Sequence, residues 1–392
     1  MDKAKWIKIS LFNLLLVAFL GVILRYKIVF SLPFIQQKHL LHAHSHFAFS
    51  GWVSMIIMFF IVSLISDIKQ IDSFKKYNTL LIANVVTAYG MLISFSIQGY
   101  GLFSISFSTI SIFVSYFFGV MVWKDLNSTK EKLVSFNWIK AAIIFNVISS
   151  LGAFSLAYLM VNKIIHQNWY LAAIYFFLHF QYNGWFLFSV GGFTMRLLEK
   201  NRLTTQKHQY IFYLFAFACL PAYFLSALWM NIPLWIYILV ILAAMAQFVG
   251  WCWFLFISRK HLQQILGKTK TAKVLFTLSA MAFSIKLILQ LGSTIPFLST
   301  LAFGYRPIVI GYLHLALLGV ITLFLLAYLF YNYSELFSQP QLKGSLFFAS
   351  AVILNELVLM IQGVSAILGV IVPFINEVLF FVSVLDRKST RL

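Results

Sequence analysis

Apolar runs of roughly 18 residues or more recur along the whole chain, parted by short polar or basic stretches, and none alternates with the two-residue period of a barrel strand. Water cannot satisfy backbone groups in the core of a bilayer, so runs of this length read as helices. The expected spans are residues 9–29, 44–66, 79–98, 102–123, 139–161 and 169–193 in the first half. In the second half they are 210–230, 234–257, 274–295, 308–332, 345–369 and 371–385, the last pair parted only by Gly369. The pattern predicts an all-α fold, a polytopic membrane helical bundle of about twelve transmembrane helices.

Within three of these spans one motif returns. His46-Phe47 leads to Gly51-Trp52, His179-Phe180 leads to Gly184-Trp185, and His314-Leu315 leads to Gly319-Val320, at separations of 133 and 135 residues. A histidine followed five residues later by glycine, at near-constant spacing, predicts a single transmembrane domain (1–392) built of three four-helix repeats, approximately 1–130, 131–265 and 266–392. The histidines then fall on the second, sixth and tenth spans. Neutral imidazole ligates haem iron, copper or zinc, and two such groups on facing helices can clamp a haem. The alternative for each is an interhelical hydrogen bond, and the glycines admit either a flat cofactor or a neighbouring helix.

Four of the nine histidines stand together in His39-Leu40-Leu41-His42-Ala43-His44-Ser45-His46. If the second helix begins early, His39, His42 and His46 share a face and His44 points about 200° away from His46. That spacing fits a metal ion or an interfacial cluster of solvated imidazoles.

Composition narrows the solvent and the partners. With 61% hydrophobic and 10% charged residues, the principal partner is the lipid bilayer. The net charge of +19 is spread over short loops with no soluble domain to form a nucleic-acid face, so nucleic acid is excluded as a partner. With the N-terminus placed in the cytoplasm, all but six of the 29 Lys and Arg residues fall on cytoplasmic ends, the exceptions being Arg25, Lys27, Lys38, Lys163, Lys286 and Arg306. This predicts a multi-pass inner-membrane protein with both termini cytoplasmic and each motif histidine in the outer half of its helix. The basic tracts 195–207 and 258–273 suit anionic headgroups. Cys219 and Cys252 lie inside expected helices, which indicates neither a disulfide nor a thiolate metal site.

The segment from His42 to Trp52, the segment Tyr312-Leu313-His314-Leu315-Ala316-Leu317-Leu318-Gly319, and three units of four helices resemble subunit I of the haem-copper oxidases. The resemblance implies a low-spin b-type haem held by His46 and His314 between the second and tenth helices, and copper at His179. It implies a role in electron transfer or respiratory gas chemistry as a cytochrome-oxidase-like oxidoreductase, with a redox partner or further oxidase subunit and a small gas as ligand. The chain departs from the family at several positions. Residues 210–230 contain no histidine where the family has further copper ligands, Tyr312 stands where a second haem ligand is expected, and Asn183 replaces the active-site tyrosine, with Tyr182 one step early. Copper would then need His44, His42 or residues of a partner subunit. A shorter resemblance, carried by His44, His46 and Gly51, is to NnrS-type haem membrane proteins linked to nitric oxide stress.

Two further groups bear on the site. Arg306, eight residues before His314, is placed by depth to meet a haem propionate or lipid headgroups, and Lys286 with Glu356 and Glu377 could form a buried ion pair, a proton relay or a propionate countercharge. Internal repeats with midspan polar residues also describe a non-haem small-molecule transporter, although Pro221, Pro296 and Pro373 do not recur at equivalent positions.

Overall fold

In the computed structural model, which describes residues 3–267 and 269–389, the regular elements are helices. Lys268 and Arg391, two of the basic residues expected on cytoplasmic ends, lie outside the described residues. In chain order the helices are α1 (Lys3–Val29), α2 (Gln37–Lys69), α3 (Phe74–Gln98), α4 (Leu102–Asn127), α5 (Val134–Val161) and α6 (residues 167–200). They continue with α7 (Gln206–Cys219), α8 (Leu234–Leu266), α9 (Lys270–Gly292), α10 (Arg306–Asn332), α11 (Gln339–Ile367) and α12 (Ile375–Ser389). A short helix, Pro296–Gly304, links α9 to α10.

Nine of these helices are long and apolar enough to cross a membrane among the described residues, or ten if α7 and the 3₁₀ turn Pro221–Ala227, bent by 45° at the break, form one span. The protein is thus a multi-pass, all-α membrane bundle. Helices also cover the sixth and twelfth expected spans, but α6 carries His179, Gln181 and Asn183 at its middle and α12 has only a short apolar stretch, so neither is in that set.

The chain divides into two compact units. The first contains the residues up to Glu131, Asn332–Val358 and the residues from Val372 onward; the second contains Lys132–Tyr331 and Leu359–Ile371.

Three helices change pitch at corresponding places. α2 is π-helical over Ala48–Ser54, α6 over Phe180–Phe186 and α10 over Leu315–Thr322, so each π segment begins one or two residues after a motif histidine and contains its glycine. Widening the turn to i→i+5 takes carbonyls out of the regular ladder, and in a bilayer they need another donor. In the first unit Asn13 Nδ2 of α1 donates to the Gly51 carbonyl at 2.6 Å, and Asn84 Nδ2 of α3 donates to the Ser50 carbonyl at 3.2 Å. Tyr89 donates its hydroxyl to Asn13 Oδ1 at 2.8 Å, which fixes the amide. In the second unit Ser279 of α9 donates to the Val320 carbonyl at 2.7 Å, and the Cys219 thiol lies 3.9 Å from the Asn183 carbonyl. Gln181, inside the second π segment, donates to Asn146 Oδ1 and Ser149 Oγ of α5 at 2.9 and 2.7 Å.

The glycines of the π segments serve packing. A Cβ on Gly184 would come within 2.5 Å of Phe145 Cβ on α5, and one on Gly319 within 3.1 Å of Ala282 Cβ on α9. Charges are compensated at helix ends. Asp125 accepts from Lys69 at 2.6 Å, Lys76 at 2.8 Å and the Tyr77 hydroxyl at 2.6 Å, and Glu199 accepts from the amide and hydroxyl of Ser135 in the first turn of α5 at 2.9 and 2.6 Å.

Asn13→Leu removes the donor to the Gly51 carbonyl and strands the Tyr89 hydroxyl. The expected loss is about 1–2 kcal/mol, read as a lower unfolding midpoint of the detergent-purified protein.

Candidate functional site

Because α2 begins at Gln37, the imidazoles of His39, His42 and His46 do lie along one helical face. That face meets the turn between α3 and α4. The His46 ring stacks on Phe95 with centroids 4.3 Å apart and planes 17° apart, and His42 meets Tyr100 edge-on at 4.6 Å. His39 lies over Gly99, whose φ of +62° already favours glycine; a Cβ there would stand 2.6 Å from the imidazole. Burial holds the Tyr100 phenol above its ordinary pKa, so it is neutral beside them. No hydrogen bond reaches the His46 ring among the described residues. His44 faces the other way, its ring 3.6 Å from where a Cβ on Gly21 of α1 would be.

His314 sits in the last α-helical turn before the third π segment, and its Nδ1 is 2.8 Å from the Ile310 carbonyl. A carbonyl can only accept, so Nδ1 carries the proton and, in the neutral ring, Nε2 carries the lone pair. Arg306 is the first residue of α10 and is exposed.

His179 differs. It is 1% exposed, its Nε2 lies 2.9 Å from the Cys219 carbonyl, and its Nδ1 lies 3.1 Å from Asn183 Nδ2. The carbonyl fixes Nε2 as the donor, and Nδ1 then accepts from the amide. This arrangement leaves no lone pair on His179 for copper. The cause is local: α7 ends at Cys219, just before Pro221 opens the bent 3₁₀ turn, and the last carbonyls of a helix lack intrahelical donors. His179 supplies one. Among the described residues no group of three or more His, Cys, Asp or Glu side chains is gathered to hold a metal ion.

The second unit also holds a buried lysine. Lys286 of α9, 2% exposed, donates to Gln290 Oε1 at 2.8 Å, and Gln290 Nε2 donates to Gln247 Oε1 of α8 at 2.8 Å. The rings of Phe283 and Tyr312 lie 5.7 and 6.0 Å from Nζ. The expected carboxylate partner is thus replaced by an amide, while Glu356 accepts from Asn355 Nδ2 at 3.2 Å and has Arg25 as its electrostatic partner.

The sequence reading missed Asn13, Asn84, Asn146 and Ser279. A signal was present for three of them, since Asn13, Asn146 and Ser279 are each 133 residues apart, nearly the motif spacing.

No family model matches the sequence, and no curated protein matches it.

His179→Ala leaves the Cys219 carbonyl and the Asn183 amide without this partner. The unfolding free energy should fall by about 1–3 kcal/mol, with His179→Gln recovering part of it. Gly99→Ala adds a methyl group at positive φ against His39, and its stability should fall by roughly 1 kcal/mol or more in the same assay.

Proposed function

We propose that this is a membrane haem protein of electron transfer or gas-related redox chemistry, with His46 and His314 as the ligands that the oxidase resemblance implies. The observation that carries the reading is the π-helical segment that follows each motif histidine, because such pitch changes concentrate at functional sites and re-aim the side chains beside them. The repeated placement also supports three four-helix units as the architecture. The His314 tautomer and the absence, among the described residues, of a hydrogen bond to the His46 ring suit two imidazoles that would hold a haem iron. A bound haem supplies a reversible one-electron couple and, where a ligand is displaced, a site for a small gas. The chain's own contribution is to hold His314 in one tautomer, to fix the His46 ring against Phe95, and to shield His46 from water with Phe95 and Tyr100. Arg306 would pair with a haem propionate on this reading, and electrons would come from a partner protein or subunit in the inner membrane.

Copper is a weaker part of this proposal, because the hydrogen bonds of His179 must open before it can ligate. The NnrS-like reading, carried by His44, His46 and Gly51, shares the haem and differs in physiological substrate.

One observation favours a small-molecule transporter as the second reading. The bend at Pro221 breaks α7 beside His179, and broken helices with exposed carbonyls line transport sites.

The test is the dithionite-reduced minus oxidised spectrum of the detergent-purified protein, with haem and copper quantified on the same sample. Sharp α and Soret bands at about one haem per chain, lost in His46→Ala and His314→Ala and kept in His179→Ala, are the expected result. A folded, colourless protein with substrate-dependent flux in liposomes would replace this reading with the carrier.

A further inference from the structure

Among the described residues no carboxylate pairs with Lys286. An ammonium has three donors, and among the described residues the one hydrogen bond that Lys286 makes is to the neutral Gln290 Oε1. Gln247 fixes that amide, holding its nitrogen as a donor and its oxygen toward Nζ. The second unit cannot supply a carboxylate: Glu199 is the only Asp or Glu in Lys132–Tyr331 and Leu359–Ile371, and it is engaged by Ser135 and Arg196 at the start of α5. Other buried charges in the chain follow the opposite rule, since Asp125 gathers two lysines and Glu199 two Ser135 donors. A lone cation at membrane depth is costly and marks a functional position.

We infer that Lys286 is the recognition residue of a buried site for one small monovalent anion, of halide or nitrite size. A single charge is to be balanced, with Phe283 and Tyr312 beside Nζ and Cys219 and His179 within its electrostatic reach. The fully buried position excludes a lipid headgroup or a polyanion. A small anion meets the free N–H groups, and the Gln290–Gln247 pair prevents Nζ from turning away to another acceptor. The assignment does not rest on the haem reading.

The experiment is equilibrium binding of radiolabelled chloride to the full chain in detergent, with gluconate holding ionic strength constant and nitrite as competitor. Saturable uptake of on the order of one chloride per chain, displaced by nitrite and accompanied by a rise in unfolding midpoint of about 2 °C or more, is expected. Lys286→Met should weaken uptake at least about tenfold while leaving any visible spectrum unchanged, because the charge that attracts the anion is gone. Gln290→Glu supplies a carboxylate internally and should abolish uptake with the fold intact, which keeps the test decisive should Lys286→Met fail to fold. No saturable uptake by the wild type, equal uptake by either variant, or uptake lost in His46→Ala instead would overturn the assignment.

Discussion

In hydrocarbon, a backbone carbonyl that leaves its helix must find another donor within the protein. The three π segments make this requirement local and repeated. Each widened turn falls within two residues of a motif histidine, and carbonyls in each are met by a side chain from a neighbouring helix: Asn13 and Asn84 at the first, the Cys219 thiol at the second and Ser279 at the third. These contacts set which helices lie beside the π segments. The small residues follow from the same demand, because Gly184 and Gly319 allow α5 and α9 to come close enough for short side chains to reach.

The distribution of function among the histidines also depends on backbone satisfaction. The three residues share a motif, yet their surroundings give them different chemistry. His179 lies next to the end of α7 and uses Nε2 to satisfy the Cys219 carbonyl, with Asn183 closing the other side. His314 bonds its own helix through Nδ1, while His46 rests on an aromatic ring. Equivalent sequence positions thus become one capping residue and two candidate ligands. The deciding element is Pro221, which closely follows the end of α7, whereas no proline closely follows α3.

Much of the helical order was legible in the chain because twenty apolar residues in water-free surroundings leave little choice but a helix. The ends were less legible. α2 begins at Gln37, seven residues before the apolar run that predicts it, because His39 to His46 continue the helix with a polar face that hydropathy does not register. The π segments were invisible for a related reason: one extra residue in a turn changes hydrogen bonding without disturbing an all-round apolar pattern. Asn13 reads as an isolated polar residue in an apolar run until its partner, the Gly51 carbonyl, is known. Its recurrence as Asn146 and Ser279 was readable, whereas the identity of the acceptors depends on packing. The histidine motif itself was legible by spacing, but the tautomers that separate the three were not.

The treatment of charge follows from the same solvent argument and separates structure from function. Asp125 and Glu199 lie at helix ends, where hydroxyl, amide and lysine donors are available, and each is compensated within its own unit. Lys286 lies within α9, far in sequence from any carboxylate of its unit, and the chain places beside it two amides locked into one orientation. Two glutamines held in register cost side-chain entropy and neutralise nothing. A role in packing alone would be met more simply by a leucine at 286, which removes the buried charge and the need for both amides. The arrangement is economical only if the positive charge is used, so the Gln247–Gln290–Lys286 chain is best understood as a device that keeps an ammonium oriented inside the bundle.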